Sequence, residues 1–76
     1  MKELSLLQVK EQEEVIIVSV AGGQMATKRL ADLGLTPGTQ IKILRKTFFG
    51  PLEIEAKGSR LVIGRGLAAK ILVRPL

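Results

Sequence analysis

Hydrophobic and polar positions follow two different periods along this chain, and glycine and proline mark where the period changes. Glu14–Val20 (EVIIVSV) is dense in β-branched residues and stops at Gly22–Gly23, which predicts a strand buried over much of its length. Gln24–Leu33 takes up a helical period instead. Ala26, Leu30 and Leu33 fall at i, i+4 and i+7, while Lys28, Arg29 and Asp32 lie off that stripe. The helix has a well-defined stop: Gly34 suits the left-handed C′ position, and Leu35 at C″ is then placed to pack on Leu30. Its start is weak, because glycine stands where a capping side chain would help. A helix of about two to three turns with such a start depends on tertiary contact.

Thr36–Pro37–Gly38–Thr39 reads as a type II turn, with proline fixing φ at i+1 and glycine accepting positive φ at i+2. Thr39–Lys46 alternates, with Ile41 and Ile43 on one side and Lys42 and Lys46 on the other. Leu52–Lys57 alternates again, setting Leu52, Ile54 and Ala56 against Glu53, Glu55 and Lys57. Only a register that joins the two apolar faces buries both, and it puts Lys42 and Lys46 among the glutamates. Gly58–Ser59 predicts a tight II′ turn into a returning strand at Arg60–Ile63. Gly64–Lys70 breaks the pattern, and Ile71–Arg74 is a last strand stopped by Pro75. Five short strands and one helix, with the helix between the first two strands, predict a mainly β fold. Closing those strands into a small five-stranded barrel hides their edges around one core. No internal repeat or linker is visible, so residues 1–76 are expected to form a single domain.

Composition narrows the chemistry. The chain has neither cysteine nor histidine, which excludes disulfides, thiolate or imidazole catalysis, and Cys/His metal centres. With 76 residues there is little core from which to build a closed catalytic pocket. The expectation is therefore a non-enzyme without a cofactor and without a dedicated metal site. A net charge of +5 favours an anionic partner surface. The cations are scattered from Lys2 to Arg74 with no run longer than two, and Arg29, Arg45, Lys46, Arg60, Arg65 and Arg74 are available to frame an acidic partner. Two phenylalanines and no tyrosine or tryptophan supply few stacking platforms, so nucleic acid is not the expected ligand. The longest bulky apolar run, Val15–Val18, is far short of the ~20 residues a spanning helix needs. No targeting segment is evident at the start, and a cytoplasmic location is expected.

Several motifs invite a chemical reading. Gly64–Arg65–Gly66–Leu67–Ala68–Ala69 matches a dinucleotide fingerprint, but too little chain follows for a helix and a second parallel strand, so it reads as a corner between strands. Glu53 and Glu55 share a strand face, and Glu11, Glu13 and Glu14 cluster; beside lysines, such carboxylates read as a solvated, paired surface. Phe48–Phe49 at a hairpin tip is the stronger candidate. Adjacent residues of an extended segment point to opposite sides, so one phenylalanine caps the barrel and the other lies along the surface, or the pair anchors a partner. Met25, Ala26 and Leu30 on the helix read most simply as core residues, while a helix that ends in the rigid Leu33–Gly38 corner can also present a groove to a peptide or another domain.

The segment Arg29–Leu30–Ala31–Asp32–Leu33–Gly34–Leu35–Thr36–Pro37–Gly38 resembles the signature of the FeoA family. The likeness continues through Gly22–Gly23, Gly50–Pro51, Lys57–Gly58–Ser59–Arg60–Leu61 and the tail Ala68–Val73, which is essentially the whole chain. The opening departs from the family pattern, since Leu4 and Leu7 are followed by Lys10 where the family commonly has glycine. The resemblance implies an SH3-like barrel and a small cytosolic accessory protein of bacterial ferrous-iron uptake. Its implied partner is the membrane permease FeoB, through a cytosolic domain that carries a G-domain. It also implies kinship with the C-terminal domains of metal-dependent repressors. Of the signature, Leu30, Leu33, Gly34 and Gly38 are expected to be structural. Phe48, Phe49, Arg29, Met25, Leu35 and Pro37 are the candidate partner-binding residues. A nucleic-acid-binding barrel, a stand-alone relative of the repressor domains and an iron-binding carrier are the alternatives.

Overall fold

A computed structural model describes residues 3–76; Met1 and Lys2, the first of the scattered cations, lie outside the described residues. In chain order the elements are β1 (Leu4–Ser5), a 3₁₀ turn (Leu6–Gln8), β2 (Glu14–Val20), α1 (Gly23–Asp32), β3 (Gln40–Lys46), β4 (Leu52–Ala56), β5 (Ser59–Ile63), α2 (Arg65–Ala68) and β6 (Ile71–Pro75). All strand pairs are antiparallel, in the order β1-β6-β2-β3-β4-β5. The fold is mainly β and SH3-like, as expected. It has six strands rather than five, and its ladder is not closed, because β1 and β5 stand at its two ends.

One face of every long strand points into a common core. Val15, Ile17, Ile41, Ile43, Leu52, Ile54, Ile63, Ile71 and Val73 are all buried there with Leu6, Val9, Leu30 and Leu35. Each such side chain contributes about 1.5–3 kcal/mol by leaving water. The hairpin register pairs Ile43 with Ile54, which joins the two apolar faces as the alternation requires. The next hairpin differs from expectation. Ala56 pairs with Ser59, so the loop is Lys57–Gly58, with φ of 53° and 77°. Positive φ at both positions is the type I′ form, whose twist suits the flanking strands.

The stop of α1 follows the expected geometry. The Gly34 N–H donates to the Ala31 carbonyl (2.9 Å) and the Leu35 N–H to the Leu30 carbonyl (2.8 Å), with Gly34 at φ 82°. These two bonds make a Schellman motif, and Leu30 and Leu35 are both buried beside it. Leu33 does not join the core: it is the C-cap residue and 45% exposed. Thr39 N–H donates to the Thr36 carbonyl (3.0 Å) across Pro37–Gly38, with Gly38 at φ 93°, as the type II turn predicts. At the other end of the chain, Gly64–Lys70 holds α2, a corner between β5 and β6 as expected, although Gly64 has an ordinary φ of −63°.

Lys46 is the main departure inside the sheet. The register shifts between Ile43 and Arg45, so Arg45, not Lys46, lies opposite Glu53, and Lys46 lies opposite the buried Leu52. Past this bulge the Lys46 ammonium turns over the end of the barrel and donates to the carbonyls of Leu7 (2.7 Å) and Val9 (2.9 Å). Two further side chains complete that edge of β3. Gln12 Nε2 donates to the Leu44 carbonyl (3.1 Å), and Glu11 Oε2 accepts from the Lys46 N–H (2.7 Å). Side chains thus replace the strand partner that β2 does not extend far enough to provide.

Two outcomes follow for denaturation. Gly34→Val forces a branched side chain into the left-handed cap and is expected to lower stability by at least about 1–2 kcal/mol. Lys46→Met removes a charged donor from two carbonyls and is expected to cost about 1.5–3 kcal/mol. Urea unfolding midpoints check both.

Candidate functional site

The β3–β4 tip carries the largest apolar side chains that the core does not use. Phe48 is 84% exposed and Phe49 is 89% exposed, so neither caps the barrel. The alternation expected of an extended segment fails because residues 48–50 form a bend rather than a strand. Their ring centroids lie 4.9 Å apart with planes inclined by 31°, so each ring supports the other within the range of favourable aromatic pairs.

Local structure holds this pair outside. The Thr47 hydroxyl donates to the Pro51 carbonyl (3.5 Å) across the tip. A Cβ at Gly50 would collide with that hydroxyl, so the close approach requires glycine. Arg65, at the start of α2, donates from Nη1 to the Thr47 carbonyl (3.0 Å). This bond ties the tip to an element 18 positions away and sets a cation at the Thr47 carbonyl, at the base of the tip. Among the basic residues of the sequence, nothing in their spacing singles Arg65 out; its role depends on how β5 ends beside the tip.

The remaining candidates lie elsewhere. Met25 (81% exposed) and Arg29 are one helical turn apart on the solvent side of α1, and Leu33 is a further turn along. Arg29 sits in the last turn, where its charge complements the carbonyl end of the helix. Pro37 is exposed in the turn that follows. Leu35 is 1% exposed and belongs to the core, so a partner has no access to it. The structure does not bring this helical face and the aromatic tip together. α1 links the end of β2 to the start of β3, whereas the tip follows the end of β3, seven residues and roughly 20 Å away.

The carboxylates form no common site. Glu11 is engaged with Lys46, Glu13 Oε1 accepts from the Lys10 N–H (2.9 Å), and Glu14 faces a different surface. Among the described residues no group of three or more carboxylates converges as metal ligands would. An open depression of about 270 Å³ between β2, β3 and β4 is bordered by Glu14, Lys42, Glu55 and Lys57. Opposite charges alternate around it, which suits a solvated surface rather than an acid–base pair. Among the described residues no helix is long and apolar enough to cross a membrane.

Comparison with known proteins bears on the family and the fold. The family model described as the FeoA domain matches residues 4–75. A protein of Methanocaldococcus jannaschii, provisionally named Fe(2+) transport protein A, is 45% identical over 64 residues, covering 84% of this chain and 77% of the relative. A crystal structure described as an iron uptake regulatory protein (FeoA) superposes with a TM-score of 0.91 at 36% identity, covering 100% of both chains. A manganese-dependent transcriptional repressor shares the fold alone, with a TM-score of 0.88 at 14% identity over 97% of this chain and 42% of the repressor.

The exposure of both rings sets an expectation for stability. Phe48→Ala and Phe49→Ala are each expected to change unfolding free energy by no more than about 0.5 kcal/mol, since neither ring fills the core. Thermal melts of the two variants check this.

Proposed function

This chain belongs to the FeoA family, and on that premise we propose that it acts by contact alone. Located in the cytoplasm, it binds the FeoB ferrous-iron permease through that protein's cytosolic domain and supports or regulates Fe²⁺ uptake, without catalysing a reaction. Family membership ties the chain to ferrous-iron transport; the identity of the partner and the mode of action are the proposal.

The observation that carries it is the aromatic tip. Of the large apolar side chains that the described residues expose (Met25, Leu33, Phe48, Phe49, Val62 and Leu76), the two phenylalanines are the largest and the most exposed, and they stand next to each other in water. Exposing that much aromatic surface costs solubility and brings the fold nothing. Buried at an interface, the same rings are the kind of anchor that dominates binding energy. Arg65 at the base of the tip, with a net charge of +5, selects a partner surface that is apolar at its centre and acidic at its rim.

The test is a titration of the chain with the isolated cytosolic domain of FeoB. Saturable binding is expected, weakened about tenfold or more by Phe48→Ala or Phe49→Ala while folding is retained. Affinity should change only modestly with added salt, because apolar burial dominates. Absence of binding, or variants that bind as well as the parent chain, contradicts the reading. Binding to DNA or RNA that falls steeply with salt favours the nucleic-acid alternative instead.

A further inference from the structure

β5 is the last strand of the ladder, and its hairpin determines which of its main-chain groups face outward. Ala56 and Ser59 close a two-residue loop as a mutually hydrogen-bonded pair. Bonded pairs alternate along an antiparallel ladder, so Ile54–Leu61 and Leu52–Ile63 are bonded pairs too. Arg60 and Val62, between them, turn their N–H and C=O groups away from β4. No loop or turn among the described residues bonds to those groups. Both residues are exposed, Val62 at 63%. An open edge carrying a β-branched apolar side chain is what proteins normally avoid unless it is used.

The outer face supplies a register for what would add there. Glu14, Lys42, Glu55 and Arg60 stand side by side across β2, β3, β4 and β5. The sign of the charge changes at every step of this row, so each neighbour favours the next. The row ends on Arg60, which has a carboxylate on one side and open solvent on the other.

The geometry points to β5 as a docking edge for an extended segment of another protein, added antiparallel, with a carboxylate opposite Arg60 and an apolar side chain opposite Val62. In the partner's chain direction that segment reads apolar, any residue, acidic. Main-chain bonds to Arg60 and Val62 supply affinity, and the two side-chain positions supply choice. A second copy of this chain fits the edge poorly. β5 (Ser59–Ile63) holds no acidic residue, so no two-fold pairing of β5 with itself sets a carboxylate opposite Arg60. A net charge of +5 also draws in an acidic segment and repels a copy. This edge is distinct from the aromatic tip, and the inference holds whichever protein donates the strand.

The test is a titration of ¹⁵N-labelled protein with a short capped peptide of threonine and valine carrying one glutamate two residues after a valine. Saturating shifts are expected at the Arg60 and Val62 amides. Val62→Pro removes an N–H that the hairpin does not use, so it is expected to fold and to lose binding. Arg60→Glu is expected to bind about tenfold more weakly and to recover affinity for the same peptide with lysine in place of glutamate. If Val62→Pro fails to fold, Arg60→Glu and its recovery decide alone. Equal affinity of the parent chain for both peptides, shifts confined to Phe48 and Phe49, or no binding overturns the proposal. Self-association that Arg60→Glu or Val62→Pro changes, without peptide binding, overturns it in favour of a second copy. None of these results depends on whether FeoB binds.

Discussion

The Lys46 ammonium, set over the end of the barrel, fastens together parts of the chain that strand pairing leaves apart. Its bonds to the Leu7 and Val9 carbonyls hold the N-terminal 3₁₀ turn against β3, and Leu6 and Val9 enter the core through that turn. A ladder that is open between β1 and β5 cannot enclose a core by backbone pairing alone. Ser5 and Gln8 contribute locally: Gln8 Oε1 accepts from the Ser5 N–H (2.9 Å) and the Ser5 hydroxyl from the Leu7 N–H (3.2 Å). These satisfy the start of the turn, while Lys46 fixes where the turn sits.

The same bend in β3 decides what the surface offers. Past the Leu44 bulge the chain leaves the strand direction, Arg65 takes the Thr47 carbonyl, and the two phenylalanines are held away from the core. The proposed function by contact needs no motion and no reactive group. It needs a rigid apolar projection, a nearby cation and a scaffold that does not deform under load. The solvent face of α1 and the open edge of β5 are separate surfaces on that scaffold. A small barrel that presents several independent faces suits an accessory role, since each face can engage a different part of an assembly.

Features set by a few neighbouring residues were legible in the sequence. The Schellman stop at Gly34, the turn at Pro37–Gly38, the bounds of β2 and the joined apolar faces of Ile43 and Ile54 all follow from local pattern. What was not legible depends on register. Alternation alone places Lys46 with the glutamates, and only the bulge shows that it faces inward. The Lys57–Gly58 turn was displaced by one position because glycine followed by serine looks like the tighter signal, whereas lysine accepts positive φ there. β1 is two residues long, too short for any periodicity to reveal. At the site, Phe48 and Phe49 were found by their rarity, but their joint exposure was not, since it needs the bend at residues 48–50. Leu35 carries two expectations, packing on Leu30 and contact with a partner, because a corner sequence does not say which of its side chains turns inward; the structure gives it to the core.

The most direct trial of contact without chemistry is ferrous-iron uptake by cells that lack this chain and are complemented with the double variant Phe48→Ala, Phe49→Ala. The account predicts that the variant accumulates as a folded protein to the parent level and leaves uptake at that of the deletion. Full restoration of uptake by the same folded variant would contradict it.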